Sequence, residues 1–109
     1  MASSFKNASA TISSADTRTD IYTAPSNTTS VIHNLNIANV DASINIAVDV
    51  EVYDDSEGSY SKLGNSIVVP VQTTLFWDKP INLETGDKLV VTATSADDCE
   101  VFVSVLEIT

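Results

Sequence analysis

The stretch Ser43–Asp54, S-I-N-I-A-V-D-V-E-V-Y-D, constrains the fold more than any other part of the chain. Ile44, Ile46, Val48, Val50 and Val52 fall on one side of an extended backbone; Asn45, Ala47, Asp49, Glu51 and Tyr53 fall on the other. Strict period-2 alternation, with a β-branched residue at each apolar position, is the pattern of a strand with one buried and one wet face. A helix would scatter those apolar side chains around its circumference. The stretch is predicted to be a central strand of an antiparallel sheet.

Shorter segments of the same kind surround it. Thr19–Thr23 is a short strand stopped by the turn Ala24-Pro25-Ser26-Asn27. In Ser30–Asn39, Val31, His33, Leu35 and Ile37 share one face, and Ile32, Asn34, Asn36 and Ala38 the other. Asn39-Val40-Asp41-Ala42 then turns into the central strand, so the two are expected to form a hairpin. Asp54–Ser59 is an acidic turn in which Gly58 supplies a positive φ. Pro70 interrupts the apolar run Ile67–Val71 and assigns it to an edge or a strand end. Thr73–Trp77 is another short strand, and Thr85-Gly86-Asp87 a tight turn before Lys88–Thr94. In the last strand, Cys99–Ile108, Val101, Val103 and Val105 face one way and Phe102, Leu106 and Ile108 the other. A strand apolar on both faces is expected to be covered on both. Short strands with turn signals roughly every 8–12 residues, and no helical periodicity, predict a two-sheet antiparallel β-sandwich of jelly-roll or Ig-like kind. Residues 19–109 form that domain, and residues 1–18, polar and small, form an extended N-terminal arm or an edge strand.

The run Ile21–Val40, I-Y-T-A-P-S-N-T-T-S-V-I-H-N-L-N-I-A-N-V, resembles the opening of a family of small β-sandwich virion proteins from tailed bacteriophages, notably those of marine hosts. The resemblance continues through Leu83-Glu84-Thr85-Gly86-Asp87-Lys88-Leu89-Val90-Val91, against the form L-x-x-G-D-x-L-x-V-x-x-S, to Val101-Phe102-Val103-Ser104-Val105-Leu106-Glu107-Ile108, of the form V-x-V-S-V-L-E-I. It covers the chain from about Thr19 to the end, and its motifs are structural rather than catalytic.

Charge narrows the partners. With 15 Asp and Glu against 5 Lys and Arg, the net charge is −10, so phosphates repel the chain and neither nucleic acid nor an anionic membrane is expected to bind it. A hydrophobic content of 43% still excludes a disordered chain. Met1-Ala2-Ser3-Ser4 has no basic or apolar leader pattern, and the single cysteine, Cys99, cannot form an internal disulfide. Synthesis in a reducing bacterial cytoplasm fits both, and makes the glycosylation patterns at Asn7 and Asn27 accidental.

No set of residues points to catalysis. His33, the only histidine, sits mid-strand and is expected to be partly buried; Cys99, among Asp97, Asp98 and Glu100, is expected to be a small core residue. The clusters Asp54/Asp55/Glu57 and Asp97/Asp98/Glu100 lack the spacing of a calcium loop and are expected to be solvated turn carboxylates. Asp49 and Glu51, on an exposed strand face, lack the raised pKa that general-acid work needs. Trp77, next to Phe76, belongs to a core or an interface. No enzyme, metal or cofactor is expected.

The resemblance implies a capsid decoration or cement protein on the outer surface of the virion, binding the major capsid protein. Attachment to a tail or fibre protein, with recognition of a host receptor or glycan through the turns Asp54–Ser59 and Asp78–Pro80, is the alternative. A homo-oligomer is expected, a trimer before a dimer by analogy with decoration proteins on symmetry axes. Phe5, Ile12, Phe102 and Leu106 are its candidate interface residues.

Overall fold

The computed structural model describes residues 2–109. Its strands are β1 (Ser3–Thr11), β2 (Thr19–Thr23), β3 (Thr29–Asn39), β4 (Ile46–Asp54), β5 (Ser59–Val69), β6 (Thr74–Trp77), β7 (Ile81–Leu83), β8 (Lys88–Ala93) and β9 (Cys99–Ile108). They form two sheets, one in the order β1-β9-β3-β6 with β7 also on β3, the other β2-β8-β4-β5. All pairings are antiparallel. The protein is a two-sheet antiparallel β-sandwich.

The order of pairing resolves the topology. β6 pairs with Leu35–Ala38 and β7 with Ser30–Ile32, so the two are successive halves of one edge, interrupted at Asp78-Lys79-Pro80. Counted that way, the first strand pairs with the last, the second with the next to last, β3 with β6/β7, and β4 with β5. A long hairpin rolled up on itself in this manner is a jelly roll.

One consequence corrects the expected hairpin. β3 and β4 lie in different sheets, and residues 40–45 cross between them. Asn39 Nδ2 donates to the carbonyls of Ile44 and Val69, and Asp41 Oδ1 accepts from the Ser43 and Ile44 amides. Both backbone groups of Ile44 are thus spent on the corner. The strand begins at Ile46, and Ile44, expected in the core, is 42% exposed.

β4 otherwise follows its alternation. Ile46, Val48 and Val50 are buried and Val52 is partly buried against the core. They meet Leu35, Ile37, Val101, Val103 and Val105 of the other sheet in one apolar cluster. β3 does not keep a single alternation. Ile32 pairs with Val105 and Asn34 with Ser104, which leaves His33 as the extra residue of a β-bulge. The bulge puts Ile32 inside with Leu35 and Ile37, and leaves Val31 half-buried and His33 exposed.

The segment expected as an arm or an edge strand is an edge strand. All of β1 pairs in register with β9, from Ser3 on Ile108 to Thr11 on Glu100. Ile12 follows it into the core at 0% exposure, its amide donating to the Cys99 carbonyl and its carbonyl accepting from Asp97. β9 is therefore flanked by β1 rather than covered by it, and its outer face stays open.

A polar tie closes one end of the sandwich. The Tyr22 hydroxyl, from β2, lies 2.5 Å from Glu107 Oε2 of β9 and 2.8 Å from Ser30 Oγ of β3. Burial and the bond to Glu107 push the phenol up to about 12. The unfolded chain ionises near pH 10, so over about pH 10–12 the folded state holds a proton that the unfolded state has lost. Stability is accordingly full below that window and falls as the pH rises through it. Urea midpoints at about pH 9 and about pH 12 should show this loss, and Tyr22→Phe should make it smaller while lowering stability by about 1–2 kcal/mol at neutral pH.

Candidate functional site

The core contains no phenylalanine. It is built from Ile, Leu, Val, Ala and Cys99, with Tyr22 and Trp77 packed at its margin. All three phenylalanines of the chain lie elsewhere: Phe5 is 77% exposed, Phe76 71% and Phe102 42%.

Strand register brings them together. On the outer face of the β1-β9-β3-β6/β7 sheet, Ser9, Phe102, Asn36 and Phe76 form one row across the strands. Phe5, Leu106, Val31 and Asn82 form a second. Between them runs a polar, uncharged row of Asn7, Ser104 and Asn34. The rim row, Thr11, Glu100, Ala38 and Thr74, supplies the one charged side chain that these strands present outward. The Phe5 ring stacks on His33, with centroids 5.9 Å apart, because the bulge pushes the imidazole out toward β1. Asn36 Oδ1, in the row with Phe102 and Phe76, is buried without a hydrogen-bond partner. A shallow depression of about 550 Å³ beside Phe102 is lined by Ser9, Asn36, Ala38 and Glu100.

The opposite sheet has the reverse chemistry. Its outer face carries the ion pairs Arg18–Glu51, Lys62–Asp49 and Lys88–Asp20. Glu51, expected to be exposed, is only 3% exposed. The β1–β2 connection lays Arg18 over it, Nε and Nη2 donating to the two carboxylate oxygens at 3.1 and 3.2 Å, and the guanidinium stacks 3.7 Å from the Tyr60 ring centroid. Asp49 is held below the usual carboxylate range by the Ser66 amide, with Lys62 adding to it. Next to these groups lies an open groove of about 450 Å³ whose lining includes Asp16, Thr17, Lys62 and Thr92.

No family model matches this sequence, and no curated protein matches it.

Of the candidate interface residues, Phe5, Phe102 and Leu106 share this outer face: Phe5 pairs with Leu106, and Phe102 lies in the other apolar row. Ile12 does not belong with them, because the chain's own core takes it. Phe76, Val31 and His33 were not among the candidates. The tetrapeptide Thr-Leu-Phe-Trp at β6 contains no signal that Phe76 points out while Trp77 packs in, and the bulge hides Val31 and His33 from any periodicity.

Asp54, Asp98 and Cys99 are held by their surroundings. Asp54 accepts from the Ser56 hydroxyl and from the Ser56 and Glu57 amides, and the Ser56 hydroxyl holds its carboxyl below the usual range. Asp98 accepts from the Ser95 hydroxyl. Cys99 is fully buried, and burial together with Glu100 pushes its thiol up to about 11, which suppresses the thiolate. Among the described residues, no group of three or more His, Cys, Asp or Glu converges on a metal-sized site, and no helix is long and apolar enough to cross a membrane.

Proposed function

We propose that this chain is a structural protein of a tailed-phage particle, a decoration or cement subunit on the outer surface of the capsid that acts by non-covalent adhesion. The observation that carries the reading is the division of its surface. The outward strand positions of one sheet carry every phenylalanine and a single charge, Glu100, while the outer face of the other carries three ion pairs. An exposed apolar patch of this kind marks an association surface rather than a site of chemistry. The jelly roll supplies no activity by itself, since the same fold serves capsid and lectin domains. The phage assignment rests on the resemblance from Thr19 onward.

In this reading the protein is made in the host cytoplasm and joins the major capsid protein where shell subunits meet. Burying apolar surface at about 25 cal/mol per Å², repeated over many copies, raises the resistance of the shell to internal pressure. The acidic remainder of the surface faces solvent or basic patches on the shell. Co-sedimentation of the purified protein with empty capsid shells at a fixed copy ratio is the expected result. A protein that stays in the supernatant at all ratios overturns the decoration reading.

The groove beside Asp49, Lys62 and Thr92 favours a second reading, a tail or fibre module that binds a glycan. Its carboxylates, the hydroxyls of Thr17 and Thr92, the Lys62 ammonium and the Arg18 guanidinium are groups that hydrogen-bond sugar hydroxyls. Glycan-array binding that is lost in Thr92→Val separates this reading from adhesion to shells.

A further inference from the structure

We propose that the outer face of the β1-β9-β3-β6/β7 sheet is closed by the same face of a second copy of this chain, related by a two-fold axis. The inference deepens the adhesive reading by naming what covers that face, and it leaves the acidic surface free for the shell.

Charge selects the occupant. Two copies of a chain with net charge −10 repel each other wherever carboxylates must meet. Of 15 acidic residues, the outward positions of these strands carry only Glu100, at one end on the rim row, and Asp78 stands at the β6–β7 edge beside Lys79, which offsets its charge. This face lets like-charged copies touch without burying ion pairs or stacking carboxylates. Its composition also matches the buried centre of an interface, rich in aromatic side chains and poor in charge.

Relief and area fit the same partner. With the two-fold axis along the strands, β1 of one copy lies over β6/β7 of the other, and β9 over β3. Phe76 then meets Ser9, Phe5 meets Asn82, and Phe102 meets Asn36, so each ring packs against a smaller side chain. Four strand positions at about 4.8 Å and about nine residues at about 3.3 Å span roughly 600 Å² per copy, close to the lower bound for a specific interface. A dimer that dissociates on dilution follows, in place of the trimer expected by analogy.

The test is the solution mass of the full-length protein by sedimentation, over a range of concentrations and salt. The expected result is twice the chain mass of 11.6 kDa, with association strengthened by salt because screening removes repulsion and no ion pair is lost. Phe76→Asp combined with Phe102→Asp should give monomer with unchanged circular dichroism and, at dilutions where the wild type also dissociates, an unchanged melting temperature, since neither ring is in the core. Val68→Glu, at an exposed site on the other sheet, should leave the dimer intact. A monomer at every concentration, a trimer, or a dimer that survives the double substitution and yields to Val68→Glu overturns the proposal. Shell binding is a separate readout. A dimer that ignores shells leaves this inference standing and removes the decoration reading, whereas a monomer that co-sediments with shells does the reverse.

Discussion

Ile12→Ala is expected to lower the free energy of unfolding by about 2–5 kcal/mol, a large share of the 5–15 kcal/mol typical of a single domain. The side chain is fully buried in the main apolar cluster, so truncation leaves a cavity in addition to the lost transfer energy. The site has little freedom to collapse. Ile12 is fixed by its amide bond to the Cys99 carbonyl at 2.9 Å and by the Asp97 amide on its own carbonyl at 2.7 Å, so the backbone cannot move in to fill the space. Phe5→Ala is the control. That ring is 77% exposed, and its truncation should change the stability of the dilute protein by only about 0.5 kcal/mol. Urea unfolding of the two variants, at a concentration where copies do not associate, measures the contrast. Equal costs would mean that Ile12 is not a core residue and that the N-terminal segment does not close the sandwich.

That contrast also marks what the sequence could say. Ile12 stands alone in a polar, small-residue stretch, so no periodicity reveals that its neighbours form a regular strand or that it turns inward at the end of it. Strand β4 was readable because its alternation is unbroken and its neighbours on both sides are strands of the same sheet. β3 was readable as a strand but not in its faces, because one extra residue at His33 reverses the inward set halfway along it. The corner at residues 40–45 has the composition of a hairpin turn. Whether Asn39 and Asp41 reverse the chain within a sheet or carry it across to the other is decided by long-range partners such as the Val69 carbonyl. Glu51 was placed on the correct face, but the residue that buries it, Arg18, arrives from far along the chain. The candidate surface was legible in the same partial way. Two apolar faces on β9 raised the expectation that its outer face is covered, and the register then added Phe76 and Val31 to Phe5, Phe102 and Leu106.

The segment Leu83-Glu84-Thr85-Gly86-Asp87-Lys88-Leu89 carried the resemblance as a motif, and each of its fixed positions has a physical reason. Leu83 and Leu89 are fully buried on either side of the turn. Gly86 has φ +87, and a Cβ there would stand 2.6 Å from Asp55 Oδ2. Asp87, only 7% exposed, accepts the Asp55 amide on one carboxylate oxygen and the Glu84 amide on the other, both at 3.0 Å. Its backbone carbonyl accepts the Ala24 amide at 2.9 Å, so three connections meet at this one residue. Asp87→Ala strips the carboxylate from two amides and is expected to cost about 2–4 kcal/mol, because bonds to an ionised acceptor are stronger than neutral ones and the released donors are partly buried. Asp87→Asn should recover only part of the loss, since its amide nitrogen cannot accept from Glu84 or Asp55 and one donor stays unpaired. Thermal unfolding of the two variants, with hydrogen exchange at the Asp55 and Glu84 amides, tests this. A loss in Asp87→Ala with no faster exchange at those amides would remove the carboxylate from the role, and leave the motif to its leucines and its glycine.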